Sequence, residues 1–206
     1  MKLYFVRHGE SEANLLRVIS NRGSVHGLTE KGRQQAAGVG ESLAQSGISA
    51  IFSSPLLRAI QTAEILSSFL RLDTVVTDAL REYDCGVIEG KSDAQSWDLH
   101  RRVREDWLLR GQWERKIEGG ESFLYIRRRF DPFVEGLLAT YPADASLLLV
   151  GHGGLYFCML PQVLSNVSFE TAASLPFPNT GIVLAETRPQ GLYCLEWCGT
   201  PVRDSG

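Results

Sequence analysis

The sequence predicts an α/β fold: a three-layer αβα sandwich with a mostly parallel central sheet and helices on both faces. Short apolar runs alternate with helical patterns along the whole chain, which is typical of this class. Residues 147–150 read Leu-Leu-Leu-Val, as in a parallel strand that is buried on both faces. Two further apolar runs flank Gly191 and predict a final antiparallel pair.

The chain of 206 residues is long enough to bury a full hydrophobic core. We predict one domain over residues 1–206, with a helical insertion at residues 92–120 that covers the cleft of the sheet. That stretch is charged and rich in tryptophan, and it ends in Gly119-Gly120. A net charge of −3 argues against nucleic acid or an anionic membrane surface as a partner.

The first residues and the cysteines predict a cytoplasmic protein. The apolar start is too short for a signal peptide, and no apolar run has the length of a membrane-spanning helix. The four cysteines form no CxxC pair and have no histidine-rich segment beside them. We therefore expect free thiols in a reducing compartment.

The first half of the chain gives three strands and two helices. Residues 2–6, 50–52 and 72–76 have the composition of strands. Thr29 stands where an N-cap is expected, and the helix after it is predicted to run to about residue 46. Ser54 and Pro55 predict the start of the next helix, with the serine as cap and the proline in the first turn.

The second half continues the alternation. A helix is predicted from about residue 121, and Pro132 is expected to kink it or to end its first half. Residues 146–150 form the best buried strand. Residues 182–186 and 192–197 form the antiparallel pair, whose outer edge could serve for homodimer formation.

Three predicted strand ends carry similar side chains. The first strand leads into Arg7-His8-Gly9, the second leads within a helical turn to Arg58, and the strand at 146–150 leads into Gly151-His152-Gly153. Ligands of open parallel sheets bind beyond the carboxyl ends of the strands. Glycine amides and the N-terminus of the helix at Pro55 would add to the positive charge there. Such a pocket suits a dianion, and phosphate is the obvious candidate.

A phosphate ester needs a nucleophile, cationic partners and an acid. A neutral imidazole can attack phosphorus, and His8 at its strand end is the better candidate; His152 would then be a protonated donor to a phosphate oxygen. Glu82 is the predicted acid, since a carboxyl group beside a phosphate has a raised pKa. Asp84, two residues further on, is the rival.

Six blocks in this order resemble the histidine phosphatase superfamily, in its phosphoglycerate-mutase-like branch. They are Arg7-His8-Gly9-Glu10-Ser11 with Asn14, Leu28-Thr29-Glu30-Lys31-Gly32, Ser53-Ser54-Pro55-Leu56 with Arg58, Glu82 with Gly86 and Glu89-Gly90, Gly119-Gly120-Glu121-Ser122, and Gly151-His152-Gly153-Gly154. The resemblance covers nearly the whole length. It implies the α/β fold and a reaction through a phosphohistidine.

The resemblance also implies roles for residues. His8 would carry the phosphoryl group, Glu82 would be proton donor and later base, and no metal or cofactor would be needed. The phosphate would lie among Arg7, Arg58, His152, Gly153 and Asn14. Relatives touch substrate with the loop that here contains Asn21 and Arg22; a plain flexible loop explains these two residues equally well.

The sequence therefore predicts a metal-independent phosphatase for a small phosphorylated metabolite. Cys85 stands where cofactor-dependent mutases have a tyrosine, and this departure together with the short chain favours hydrolysis. One alternative is a mutase of the phosphoglycerate type. Another is a phosphatase directed at phosphohistidine or phosphoprotein, or a module that only binds.

Some conspicuous residues receive no catalytic role. His26 and His100 are expected to be solvated at the surface. The run Arg101-Arg102-Val103-Arg104 could recognise an acidic substrate, but a solvated helix face is the more usual arrangement. Trp97, Trp107 and Trp113 are expected to pack the insertion.

Overall fold

The computed structural model describes residues 1–23 and 25–202, and the strands and helices below are those of this part of the chain. The strands are β1 Lys2–Arg7, β2 Ala50–Ser53, β3 Thr74–Val76, β4 Ser146–Gly151, β5 Ile182–Arg188, β6 Gly191–Trp197 and β7 Thr200–Pro201. The α-helices are α1 Glu12–Leu16, α2 Glu30–Leu43, α3 Leu57–Leu70, α4 Ala94–Arg110, α5 Phe123–Thr140, α6 Gly153–Val163 and α7 Phe169–Ser174. Short 3₁₀ turns occur at Asp78–Leu80 and Gly86–Ile88.

The strands form one mixed sheet in the order β3-β2-β4-β1-β5-β6-β7. The four strands from β3 to β1 are parallel, and β5, β6 and β7 each pair antiparallel with the preceding strand in that order. This confirms the predicted fold class, including the antiparallel pair that meets at Gly191. Strands β1, β2 and β4 are neighbours, so their carboxyl ends open at one place.

Alternate side chains of the central strands enter two hydrophobic cores. In β1, Leu3 and Phe5 pack on one face of the sheet with residues of α5 and α6. Tyr4 and Val6 pack on the other face with residues of α2 and α3. Because successive side chains of a strand point to opposite faces, this pattern requires helices on both sides. The layers of the predicted sandwich are therefore confirmed.

The start of α3 differs from the prediction. The helix begins at Leu57, two residues after Pro55, with Leu56 as an extended N-cap. The hydroxyl group of Ser54 accepts a hydrogen bond from the amide of Leu56 and lies 2.7 Å from His152 Nε2, so it does not cap the helix. Ser54 instead supports the turn between β2 and α3.

Two other predicted boundaries also move. Helix α2 begins as predicted, with Thr29 Oγ1 accepting from the amide of Gly32, but it ends at Leu43. Helix α5 continues across Pro132 to Thr140, since Phe130 and Val134 on either side of the proline are both buried on the core face. The proline therefore does not end the helix.

Helix α4 forms the centre of the predicted insertion. Asp93 caps it by accepting from the amide of Ser96, and Gly111 ends it at a φ of 64°, a conformation that favours glycine.

The predicted single domain, residues 1–206, also includes Ser24 and residues 203–206, which lie outside the described part of the chain. The four cysteines are free thiols, as predicted. No helix among residues 1–23 and 25–202 is long and apolar enough to cross a membrane.

Gly9 is fixed by contact with helix α2. A Cβ atom on Gly9 would lie 2.4 Å from the carbonyl oxygen of Gly32, and one on Gly32 would lie 2.0 Å from that of Glu10. Backbone atoms cannot move aside as a flexible side chain can, so both positions require glycine. Two of the sequence blocks thus share one close backbone contact.

The buried strand β4 provides a test of the fold. Leu148 is fully buried in the core with α2 and α3, and we expect Leu148→Ala to lower the free energy of unfolding by about 2–5 kcal/mol. Leu109 on α4 is 75% exposed, so Leu109→Ala should change it by less than about 0.5 kcal/mol. Urea denaturation of both variants measures this, and equal losses would contradict the assignment of the core.

Candidate active site

A cavity of about 340 Å³ lies beyond the carboxyl ends of β1, β2 and β4. It is lined by seven of the nine predicted site residues: Arg7, His8, Asn14, Asn21, Arg58, Glu82 and Gly153. The other two, His152 and Arg22, are not among the lining residues described. Most of the predicted residues, although far apart in the chain, therefore lie at one cavity.

His8 is held in one orientation by two hydrogen bonds. Its Nδ1 lies 2.7 Å from the carbonyl oxygen of Gly9, which can only accept, so Nδ1 carries the proton. Its Nε2 accepts from Arg58 Nε at 3.1 Å. Burial, Arg58 and Arg7 hold the pKa of His8 well below its usual value. The ring is therefore neutral near pH 7, with the lone pair on Nε2.

Arg7 and Arg58 bring two cations to the same cavity. Arg58 is buried at the start of α3, and burial is the main reason that its pKa falls to about 10, so it stays charged at neutral pH. Arg7 donates to the carbonyl oxygen of Phe177, and its buried Nε has no partner in the described part of the chain. Donors without acceptors suit an oxyanion.

His152 lies behind His8, with 5.1 Å between the two ring centroids. Ser54 Oγ, which already accepts from Leu56, can donate its hydroxyl proton to His152 Nε2. In that tautomer the proton of the ring resides on Nδ1, which is buried and without a partner among the described residues.

The charge of His152 differs from the prediction. We expected a protonated imidazole, but burial is the main cause, with Arg58 and His8, of a pKa well below the usual value. A neutral ring is therefore present at pH 7. In the tautomer whose Nε2 accepts from Ser54, the neutral ring can still donate one hydrogen bond from Nδ1.

Glu82 is the carboxyl group of the cavity. Its Oε1 accepts from the amide of Tyr83 and its Oε2 from the amide of Gly154 at the start of α6. Both bonds and Arg58 lower the pKa, but loss of hydration outweighs them and the pKa is raised. A raised pKa is what a general acid needs near neutral pH.

Asp84, the rival acid, is engaged elsewhere. Its carboxylate accepts from the amide of Gly86 at 2.7 Å and from Arg22 Nε at 2.8 Å. It is not among the described residues that line the cavity. The geometry therefore favours Glu82 over Asp84.

Asn14 is oriented by Asn179. The side-chain oxygen of Asn14 accepts from the amide of Ser11 and from Asn179 Nδ2, which also donates to the carbonyl oxygen of His8. Because the side-chain oxygen of Asn14 is occupied in this way, its side-chain Nδ2 remains to donate a hydrogen bond to a ligand.

The loop after α1 separates the roles of Asn21 and Arg22. Asn21 is buried and lines the cavity, and its side-chain amide donates to the carbonyl oxygen of Tyr83 and to Cys85 Sγ. Arg22 donates to Asp84 and to the carbonyl oxygen of Gly119, outside the cavity. The position of Arg22 thus gives no support to the contact with substrate that was predicted for it.

One of the two glycine amides beside the histidines, that of Gly9, is already engaged within the protein. The amide of Gly9 donates to Thr62 Oγ1 at 3.1 Å. Gly153 lies against Arg7, since a Cβ atom there would be 3.1 Å from Arg7 Nε. Both glycines let other protein groups approach closely.

Helix α4 contributes a wall that the sequence analysis largely missed. Trp97, His100 and Arg104 line the cavity, and their spacing of three and four residues places them on one helix face. His100 is not the solvated residue that we expected: its Nε2 lies 2.7 Å from the hydroxyl group of Tyr83, and burial lowers its pKa to about 4. His26 is partly buried and lies 2.7 Å from Ser20 Oγ.

The chain resembles known proteins along nearly its whole length. A sequence profile described as the histidine phosphatase superfamily (branch 1) matches residues 3–200. The probable phosphoglycerate mutase GpmB of Proteus mirabilis is 37% identical over 164 residues, which are 80% of this chain and 75% of that protein.

Solved structures agree with this likeness. Mycobacterial hydrolase 1 has a TM-score of 0.82 at 26% identity, over 97% of this chain and 98% of that one. A mycobacterial glucosyl-3-phosphoglycerate phosphatase, in complex with VO3, has a TM-score of 0.79 at 26% identity, over 95% and 96%. The chain belongs to the histidine phosphatase superfamily, in its phosphoglycerate-mutase-like branch.

Proposed function

We propose that this protein is a metal-independent phosphatase that hydrolyses a small phosphomonoester through a phosphohistidine on His8. The observation that carries the proposal is the fixed tautomer of His8: Gly9 holds the proton on Nδ1, and the unprotonated Nε2 faces Arg58 on the cationic side of the cavity. A neutral, rigid imidazole beside two arginines is suited to attack on phosphorus.

In the first step His8 Nε2 attacks phosphorus and the bond to the ester oxygen breaks. Arg7, Arg58 and the Nδ1–H of His152 would donate to the phosphoryl oxygens, where charge is concentrated in the transition state. Glu82, whose pKa is raised by burial, gives its proton to the leaving oxygen when it is in its acid form. The products are an alcohol and phosphohistidine.

In the second step a water molecule attacks the phosphohistidine. Glu82, now a carboxylate, takes a proton from this water, and the N–P bond breaks to return neutral His8 and inorganic phosphate. Glu82 thus ends the cycle protonated, as it began. The two arginines supply the positive charge that a metal ion supplies in other phosphatases.

A phosphoglycerate-type mutase is the second candidate, because a relative at 37% identity carries that name. A mutase would return the phosphoryl group from His8 to another hydroxyl group of the substrate rather than to water. Cys85 stands at the position where cofactor-dependent mutases have a tyrosine. This difference favours water as the acceptor of the phosphoryl group. The thiol of Cys85 is buried against Asn21 and offers the cavity no phenol group.

Phosphate release in excess chelator tests the proposed function. We expect rapid release from some members of a panel of metabolite phosphates, and a fall of at least about 10⁴-fold in His8→Ala, the scale seen when a nucleophile is removed. His26→Ala is the matched control, since His26 lies outside the cavity lining described here. Transfer to a second hydroxyl group without release would favour the mutase; loss of activity in chelator would contradict metal independence.

Glu82→Gln tests the acid. We expect alkyl phosphates, which have poor leaving groups, to lose about 10²–10⁴-fold in kcat, and activated aryl phosphates to lose much less. In Asp84→Asn, the ratio of kcat for alkyl phosphates to kcat for aryl phosphates should be the same as in the wild type. An equal loss for both kinds of ester in Glu82→Gln would show that another group protonates the leaving oxygen.

The pH profile of the same variants follows from the raised pKa of Glu82. The acid form is present below that pKa and is lost above it, so kcat/KM for alkyl phosphates should fall as the pH rises through it. Burial holds the pKa of His152 well below its usual value, so this limb is assigned to Glu82. An alkaline limb that persists in Glu82→Gln would contradict the assignment.

A further inference from the structure

Glu121 is a buried carboxylate that the proposed mechanism does not use. It lies just before α5 and is not among the described residues that line the cavity. Its Oε1 accepts from Arg129 Nε at 3.1 Å and its Oε2 from Arg129 Nη2 at 3.2 Å, and Arg81 Nη2 lies 3.3 Å from Oε1. A two-point contact between a guanidinium group and a carboxylate fixes the geometry of the pair as well as its charge.

The same carboxylate holds the backbone on the carboxyl side of Glu82. Its Oε2 accepts from the amide of Asp84 at 2.7 Å, and the amide of Glu121 donates to the carbonyl oxygen of Asp84 at 2.9 Å. A Cβ atom on Gly120 would lie 2.6 Å from that carbonyl oxygen, so glycine is what lets the two segments approach. Both backbone polar groups of Asp84 are thus bound by one residue.

Arg129 holds the backbone on the amino side of Glu82. Its Nη1 donates to the carbonyl oxygens of Asp78 and Ala79, both at 3.0 Å, in the 3₁₀ turn that precedes Glu82. Its Nε and Nη2 are the donors that contact Glu121. Because the guanidinium group is planar and rigid, one side chain connects this turn to Glu121 in a fixed arrangement.

The proposed acid lies between these two points of attachment. Residues 81–85 are outside the helices and strands, so their backbone groups need partners from elsewhere in the chain. The carboxyl group of Glu82 reaches the amide of Gly154 at 2.9 Å, on a different element. A displacement of about 1 Å in such a group can cost about 10²-fold in rate. The position of the acid therefore depends on how residues 78–84 are held.

We propose that Glu121 and Arg129 are positioning residues for the general acid. Their ion pair fixes residues 78–84 at both ends, and it thereby holds Glu82 where its proton can reach the leaving oxygen. Neither residue is among the described residues that line the cavity, so both act through Glu82. This inference rests on the proposed function and adds the support of its proton donor.

A second buried ion pair provides the matched control. Glu121→Gln keeps the size of the side chain and an oxygen that can accept from the amide of Asp84, but it removes the charge that Arg129 contacts. Asp106 on α4 is likewise a buried carboxylate paired with two arginines, Arg110 and Arg115, and it is not among the described lining residues. Asp106→Asn therefore disturbs a comparable pair away from the acid.

The quantity measured is kcat for an alkyl phosphate divided by kcat for an activated aryl phosphate, with the folded fraction of each variant determined by urea denaturation. A loss of folded protein lowers both rates equally, whereas a displaced acid lowers mainly the alkyl rate. The ratio therefore separates a positioning role from a merely structural one.

We expect this ratio to fall by about 10- to 100-fold in Glu121→Gln and in Arg129→Met, with part of it recovered in Arg129→Lys. Asp106→Asn should keep the ratio of the wild type. Since the effect acts through Glu82, adding Glu121→Gln to Glu82→Gln should lower the alkyl kcat no further. A wild-type ratio in Glu121→Gln, or an equal fall in Asp106→Asn, would overturn the proposal.

Amide NMR separates this proposal from the proposed function. If Glu82→Gln itself leaves the ratio unchanged, Glu82 is not the acid, and the signal of the Gly154 amide, which donates to Glu82, still reports where the carboxylate lies. We expect this amide proton to move upfield in Glu121→Gln, because its hydrogen bond lengthens, and to stay in place in Asp106→Asn. An unmoved signal in Glu121→Gln, or the same movement in both variants, would contradict the positioning role.

Discussion

The parallel pairing of β1 with β4 is the constraint on which the site depends. The register places Arg7 opposite Gly151, and the amide of His8 donates to the carbonyl oxygen of Gly151. The two strands therefore end together, and each is followed by a histidine. A shift of one residue would turn one of these side chains to the other face of the sheet. The adjacency of His8 and His152 is thus a property of the sheet.

Burial then determines the charge of each group. The two histidines lose hydration beside Arg58, so both are neutral, while the same loss of hydration raises the pKa of Glu82. The cavity consequently combines a neutral nucleophile, fixed cations and a carboxyl group that can hold a proton. Arg7 Nε and His152 Nδ1 lack partners in the described chain, a cost that a bound oxyanion would offset.

Local sequence predicted those elements whose strand end or helix cap has a recognisable residue pattern. The strands at β1 and β4, the Thr29 cap and the meeting of Arg7, His8 and Arg58 could be predicted, because the carboxyl ends of parallel strands share one edge. The start of α3 could not, because Ser54 is held by His152, nearly a hundred residues later in the chain.

The same limit explains the errors on charge and exposure. The protonation of His152 depends on burial by distant elements, and the exposure of His100 depends on how α4 packs over the sheet. The spacing of Trp97, His100 and Arg104 was present in the sequence, but which face of α4 meets the cavity follows only from tertiary contacts. Helical periodicity shows which residues share one side of a helix, but it does not show what lies against that side.

Trapping of the intermediate tests the central claim most directly. The enzyme is mixed with a phosphomonoester that it hydrolyses and that is labelled in its phosphoryl group. The reaction is stopped in alkali, and the protein is analysed by peptide mass spectrometry and phosphorus NMR. The account predicts label on Nε2 of His8, since Gly9 occupies Nδ1. Label on Nδ1 or on another residue, or turnover with no labelled residue and with inversion at phosphorus, would contradict it.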